Sequence, residues 1–355
     1  MPFISDALDP MHYSKKVFYN TIRLAPVALL KGIDPNQLLL PYQHLVSDVP
    51  VPHIKHLYPF KGTKAFEKDL DYLLKHFKPV TLPEVIAAVK ERRPLPKYSF
   101  LLTFDDGLQE VATHIAPMLL RKGVPAAFFI NKNFLDNQEL FYKFKVSLII
   151  EALTTRNWSP ATLAAAGQLL GDTGGTAADI ISRVKKITYV NRQLADPIGE
   201  VFELSFGEYL QRERPFMDSG SVQRLVDQGF GIGGHSIDHP YYAELTLAEQ
   251  IRQTVESVDF VTSKFQLPYK AFAFPHTDAP VSSTFFEQLL EGEQPALDII
   301  FGTANHLGDI HPAILQRFNC ERPQLSIETA VKGILVYDII KKRLLNSVIS
   351  RSKAI

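Results

Sequence analysis

Apolar residues recur along this chain with two different spacings, and the spacing changes from segment to segment. Between Ala65 and Phe77 they fall at Phe66, Leu70, Leu73, Leu74 and Phe77, the three-to-four repeat of one helix face. Thr81–Arg93 follows, with a threonine two residues before a proline, the start signal of a capped helix. Tyr98–Phe104, YSFLLTF, is an unbroken apolar run and predicts a strand covered on both faces. An early strand is expected over Asn36–Val46, a helix over Val111–Lys122 and a strand over Pro125–Ile130. Later strands are expected near Gly231–Gly234, Lys270–Phe274, Asp298–Phe301 and Ile314–Phe318. Strands alternating with helices point to an α/β core of parallel strands, closed or nearly closed.

The alternation stops between Ile130 and Gly231. Leu140–Leu153 is amphipathic, Gly171–Thr176 reads as a flexible break, and Ala177–Val190 predicts another helix. Asn157–Leu194 carries no strand signal. This stretch reads as a helical insertion into the core, placed either as one wall of a cleft or as a structural cap.

Composition narrows the function classes. The 355 residues are 46% hydrophobic and 21% charged, with Lys+Arg and Asp+Glu balanced at 38 each. Such a chain has no net field to recruit nucleic acid or an acidic membrane. The one cysteine, Cys320, excludes an intrachain disulfide and reads as a small buried residue. RLAPVALL (Arg23–Leu30) is followed by KGIDPN without a small-residue cleavage pattern and reads as an ordinary helix. No stretch approaches the roughly 18 apolar residues that span a bilayer, so the expected location is cytoplasmic. Ile340–Lys353 is basic and amphipathic and reads as a solvated helix.

Two short stretches carry the chemistry. In Thr103–Gly107, TFDDG, Asp105 and Asp106 leave the C-terminal end of a strand, the edge where α/β folds place their sites. In Gly233–Pro240, GGHSIDHP, His235 and His239 stand at i and i+4, which on one helical turn puts both imidazoles on the same side. Two histidines and one carboxylate make three ligands with an open fourth position, the donor set of a hydrolytic zinc centre. The second carboxylate is then free to act as general base. Cobalt, nickel and other divalent ions suit the same ligands.

With TFDDG and HSIDH both complete, the chain resembles the polysaccharide deacetylase family, carbohydrate esterase family 4, over about Leu101–Phe318 with the insertion interrupting it. Pro59–Val85 is similar to the helical lead-in common in that family. The resemblance implies a deformed (β/α) barrel of about seven parallel strands. It also implies Asp105 as general base and Asp106, His235 and His239 as metal ligands. The third motif, usually Arg-x-Pro-Tyr-Gly, corresponds to AFPHT (Ala273–Thr277); the arginine that orients the base in the family is an alanine here. His276, after the proline, is expected to act through its backbone N–H on the oxyanion. The family's histidine acid has no counterpart motif, which leaves His276, His306 and His311 as candidates. Arg317 reads equally as an anchor for a site carboxylate and as a surface ion pair.

The expected organisation is a lead-in over 1–98, a core over 99–135 and 226–325, the insertion over 136–225 and a C-terminal helix over 326–355. The proline- and histidine-rich loop Ser47–Phe60, with His53 and His56, is expected to pack on the barrel, and Tyr241 and Tyr242 either stack on a sugar or wall the barrel. The function expected is removal of N- or O-acetyl groups from a carbohydrate, with a divalent metal, zinc first. Two alternatives stand beside it: an amidohydrolase on a small non-sugar amide, and a catalytically silent carbohydrate-binding protein that keeps the metal site.

Overall fold

The computed structural model describes residues 22, 25–33, 38–171, 175–345 and 347–353. Parts of four expected elements fall outside these: Arg23 and Leu24, Asn36 and Gln37, 172–174, and Asn346.

Eight short strands form one parallel sheet: β1 (Pro41–Gln43), β2 (Leu102–Phe104), β3 (Ala126–Ile130), β4 (Gly231–Gly234), β5 (Ala271–Ala273), β6 (Ile299–Gly302), β7 (Ile314–Gln316) and β8 (Phe318–Asn319). The spatial order runs β7-β6-β5-β4-β3-β2-β1-β8, every pair parallel. Because β7 and β8 are one stretch of chain separated only by Arg317, Ile314–Asn319 touches both edges and closes the sheet into a barrel. Counted that way the barrel has the seven strands the resemblance implied. A small parallel sheet of Leu38–Leu39, Ser99–Phe100 and Lys78–Pro79 extends β1 and β2 at their N-terminal ends.

The apolar runs become strands because both faces are covered: all of Leu102–Phe104 and Ala126–Ile130 is buried. Helix Thr63–His76 buries Phe66, Leu70 and Leu73 against the barrel, as its spacing foretold. Helix Leu82–Lys90 begins at Thr81, whose hydroxyl accepts from the Glu84 amide while the Glu84 carboxylate accepts from Thr81. At Gly233 a Cβ would lie 2.6 Å from the Phe129 ring and 2.8 Å from the Ala271 carbonyl, so β3, β4 and β5 pack as closely as they do only with glycine there.

Between β3 and β4 the helices Tyr142–Thr155, Pro160–Leu169, Ala177–Val184, Ala195–Val201 and Phe206–Glu213 pack around a core of their own. Phe144, Ile149, Ile180, Ile198 and Phe202 fill it, joined by Leu45, Val51 and Ile54 from the loop after β1. The helix expected to Val190 ends at Val184, and beyond it Tyr189 reaches Asp238 in the loop after β4. Helix Ile327–Asp338 continues as π-helical turns to Leu344, after which 347–353 run without helix. The solvated helix expected to Lys353 therefore ends early, and the Arg351 guanidinium is buried against Asp278 and Asp309. Among the described residues no helix is long and apolar enough to cross a membrane.

Candidate active site

β2 ends at Phe104, and the backbone then turns with φ of +71° at Asp106 and +64° at Gly107. That left-handed pair sends the two carboxylates different ways. Asp105 turns toward the closing strand, where Arg317 donates from Nη1 to Oδ1 at 2.7 Å and from Nη2 to Oδ2 at 2.8 Å. Arg317 also donates to Thr103 Oγ1 and the Gly302 carbonyl, and it is fully buried between the rings of Tyr42 and Phe129. Burial alone would raise the Asp105 pKa, but the guanidinium charge and its two bonds outweigh it and hold the carboxyl below its ordinary value. Of the two roles open to Arg317 in the sequence, anchoring the site carboxylate is the one it fills. It approaches from β7–β8, not from the third motif.

Asp106 turns the other way. Its Oδ1 lies 3.4 Å from His235 Nε2 and 3.1 Å from His239 Nε2, and the three donor atoms lie within 4.8 Å of one another. The two histidines do not share a helical turn, as their spacing suggested: Ser236 and His239 have φ of +71° and +59°, and the loop is irregular. Hydrogen bonds hold it instead. Asn131 Nδ2 donates to the His235 carbonyl, the His239 amide donates to Ser236 Oγ, and the Ile237 amide to Gln253 Oε1. His235 Nδ1 donates to the Ala273 carbonyl at 2.8 Å, so the third-motif alanine keeps a backbone role, and Nε2 is left to offer its lone pair.

These residues fit a divalent cation. Among the described residues, Asp106 Oδ1 is buried without a hydrogen-bond partner. Ligands on a tetrahedral ion with bonds of about 2.1 Å stand about 3.4 Å apart, close to the 3.4 and 3.1 Å that separate Asp106 Oδ1 from the two nitrogens. Burial raises the Asp106 pKa, but the opposing imidazoles hold it well below the ordinary carboxylate value; burial keeps His239 below its ordinary value and neutral. A carboxylate and neutral imidazoles are the forms that bind metal.

A further pair went unread in the sequence. His44 follows β1 directly, and its Nδ1 pairs with Glu321 Oε2 at 2.8 Å, while Glu321 Oε1 accepts from the amides of His44 and Leu45. Burial would lower the His44 pKa, but Glu321, with Asp106 and Asp105 behind it, raises it to about 9. Two of the candidate acids lie elsewhere. His306 is buried between the Leu40 amide and Asp338, and His311 precedes β7 at the opposite end of the strands. His276 does reach the centre, with its ring 4.6 Å from that of His239, φ of +56°, and an amide that meets no acceptor among the described residues.

The sequence model of the polysaccharide deacetylase family matches residues 92–287, more than half of the chain. The chain belongs to the polysaccharide deacetylase family. Its structure is similar to that of a de-N-acetylase from Aggregatibacter actinomycetemcomitans at 12% identity and a TM-score of 0.50, covering 84% of this chain and 100% of that one. IcaB from Ammonifex degensii is 16% identical (TM-score 0.47; 85% and 98% covered), and the Streptococcus pyogenes deacetylase PplD 12% identical (0.46; 84% and 99%). At these identities the first likeness is one of fold. No curated protein matches the chain.

In this family member the helical insertion reaches the loop carrying His235 and His239 directly. Phe141 packs 4.6 Å from the His239 ring. Asp238, between the two histidines, accepts from Tyr189 Oη at 2.8 Å and from Gln253 Nε2 at 2.7 Å. Arg192 lies over the Tyr189 ring. The Ser47–Phe60 loop, expected to pack on the barrel, packs on the insertion instead, with His53 bonded to Tyr209 and His56 to Glu151. Tyr242 is fully buried and bonded to Thr254, which makes it a wall of the barrel; the Tyr241 ring is 5.9 Å from that of His276.

Proposed function

We propose that the chain is a metal-dependent hydrolase that removes an N- or O-acetyl group from a carbohydrate. The observation that carries this reading is the convergence of Asp106, His235 and His239 beside an aspartate already fixed by Arg317. A divalent cation held there, zinc first and cobalt or nickel next, supplies Lewis acidity toward an acyl oxygen and a water. Asp105 takes the proton of the attacking water; with both oxygens held by Arg317 it cannot rotate away, and each retains a lone pair for the water. The His276 amide, without an acceptor among the described residues, offers a donor to the developing oxyanion. His44, kept protonated by Glu321, hands its proton to the departing amine or hydroxyl. A silent binding protein was motivated by a missing arginine and a missing acid; Arg317 and His44 supply both functions from other strands, which favours the enzyme. The single buried thiol, Cys320, suits a cytoplasmic location, which cell fractionation tests.

The test separates the two aspartates. Asp105→Asn is expected to keep bound metal while acetate release from acetylated chito-oligosaccharides falls by about 10²–10⁴. Asp106→Asn is expected to lose metal, with part of the activity returning in excess zinc. A variant pair in which neither metal content nor rate changes defeats the reading. Equal turnover of small non-sugar amides and of chito-oligosaccharides would favour the amidohydrolase.

A further inference from the structure

One short segment, Asn131–Asn137, runs between the turn that carries Asp106 and the loop that carries the two histidines. It begins where β3 ends, and its first residues hold the histidine loop. The amides of Lys132 and Asn133 donate to the carbonyls of Ser236 and Ile237 at 3.2 and 2.9 Å, and the Asn131 side chain bonds to the His235 carbonyl.

The far end of the segment reaches the aspartate turn through one intermediary, Pro215–Met217, on which the chain returns from the insertion. This stretch lies against the residues that follow Asp106. The Gln109 amide donates to the Pro215 carbonyl and the Met217 amide to the Gly107 carbonyl, both at 2.9 Å, and Leu108 stands antiparallel to Phe216. On its other side the same stretch meets Asp136 and Asn137. The Asp136 amide donates to the Met217 carbonyl at 3.0 Å. Asn137 pairs with Phe216 as a neighbouring backbone would, its Oδ1 accepting from the Phe216 amide at 3.0 Å and its Nδ2 donating to the Phe216 carbonyl at 2.8 Å. The Asp136 carboxylate accepts from the Ser219 amide and hydroxyl, each at 2.6 Å. The rings of Phe134 and Phe216 stack at 4.9 Å. Asp136 and Asn137 have φ of +62° and +57°, a left-handed backbone that Asp and Asn adopt more readily than other residues with side chains.

These ties matter because neither end of the site is regular. Asp106, Ser236 and His239 hold left-handed backbones, which persist only where the surroundings over-determine them. A set of ligands must also be held to within about 0.5 Å to bind well. The aspartate and the histidines come from different strands, and Asn131–Asn137 is bonded toward both.

We propose that Asn131–Asn137 is a brace that fixes Asp106 in relation to His235 and His239, with Asn137 as its positioning residue on the aspartate side. Without the brace the three donor atoms spread and hold a divalent cation less tightly. This rests on the metal reading of the site proposed above.

Zinc affinity, read by competition against a chromogenic chelator, tests the brace independently of turnover. Asn137→Gly removes both bonds to Phe216 while suiting the left-handed backbone there, and is expected to raise the zinc Kd about tenfold. Ser219→Ala keeps the amide bond to Asp136 and loses the hydroxyl one, a milder change expected to raise Kd about threefold. Ser159→Ala removes a helix cap in the body of the insertion, where Ser159 Oγ accepts from the Thr162 amide at 3.1 Å. It is expected to lower Tm and leave Kd unchanged, which separates the brace from a loss of stability alone. Coupling between sites is reciprocal, so zinc is expected to slow hydrogen exchange at the Gln109 and Met217 amides of the wild type, and less so in Asn137→Gly. A wild-type Kd in both Asn137→Gly and Ser219→Ala, or an equal weakening by Ser159→Ala, overturns the brace and leaves the metal centre standing. A wild-type chain that takes up no zinc overturns both.

Discussion

Arg317 and Asp105 exchange two parallel charge-assisted hydrogen bonds inside the barrel. The net stability of such a pair is small, because its attraction is offset by desolvation, but removing one partner strands the other. Arg317→Met is therefore expected to lower stability by about 3–5 kcal/mol in urea denaturation at pH 7. The Asp105 pKa is depressed in the folded state, so its contribution is present above the ordinary carboxylate value of about 3.9 and is lost as pH falls through the folded value. The gap between wild type and variant should narrow accordingly in acid, and coincident midpoints at pH 7 would refute the account. His44 has the opposite sign. Its folded pKa of about 9 lies above the ordinary 6.5, so its stabilising charge is complete below about pH 6.5 and is lost as pH rises through 9. As the proposed acid it should give kcat an alkaline limb near pH 9. Glu321→Gln should move that limb down by about one pH unit or more, and a limb indifferent to Glu321 removes His44 from the role.

At the scale of elements, the insertion bears on the loop carrying His235 and His239 through Phe141 and through the stretch Thr188–Arg192. Ser236 and His239 hold left-handed backbones that cost energy in any non-glycine residue. The loop keeps them because hydrogen bonds from its surroundings over-determine it. Tyr189 supplies one of these from outside the barrel, onto the carboxylate that separates the two ligands. Tyr189→Phe is expected to raise the zinc dissociation constant about tenfold, as befits one hydrogen bond to a charged group. Competition against a chromogenic chelator reads this directly, with far-ultraviolet circular dichroism unchanged. An unaltered zinc affinity would reduce the insertion to a cap with no hold on the centre.

For the molecule as a whole, closure depends on contacts far apart in sequence. Ile314–Asn319 completes the barrel, and the segment 347–353 straps its outside. Arg351 donates to Asp278 Oδ2 at 2.5 Å and to Asp309 at 2.5 and 2.7 Å, while Gln316 Nε2 donates to both carboxylates. Asp278 lies two residues after His276, and its Oδ1 accepts from the Thr303 amide. The strap thus reaches the third-motif loop. Arg351→Ala leaves two buried carboxylates facing each other and is expected to destabilise the fold by about 3–5 kcal/mol. Calorimetry should record a lower Tm, and an unchanged Tm would mean the strap is ornamental.

The barrel strands and the strand-end placement of Asp106, His235 and His239 were legible in the sequence because each depends on local pattern. A buried parallel strand is an apolar run, and its C-terminal end is where TFDDG and GGHSIDHP place their side chains. The same local logic gave the Thr81 cap and the helix face of Phe66, Leu70 and Leu73. What only the tertiary structure decided depends on which strand lies beside which. Arg317 reaches Asp105 across 212 residues because β7–β8 closes the barrel next to β1, and His44 meets Glu321 across 277 residues for the same reason. Neither arginine nor histidine stands in a motif of its own. Even the His235–His239 pair, read correctly as convergent, converges through a strained loop and not through a helical turn. Sequence spacing encodes contacts within an element, whereas closure of a barrel sets contacts between its first and last strands.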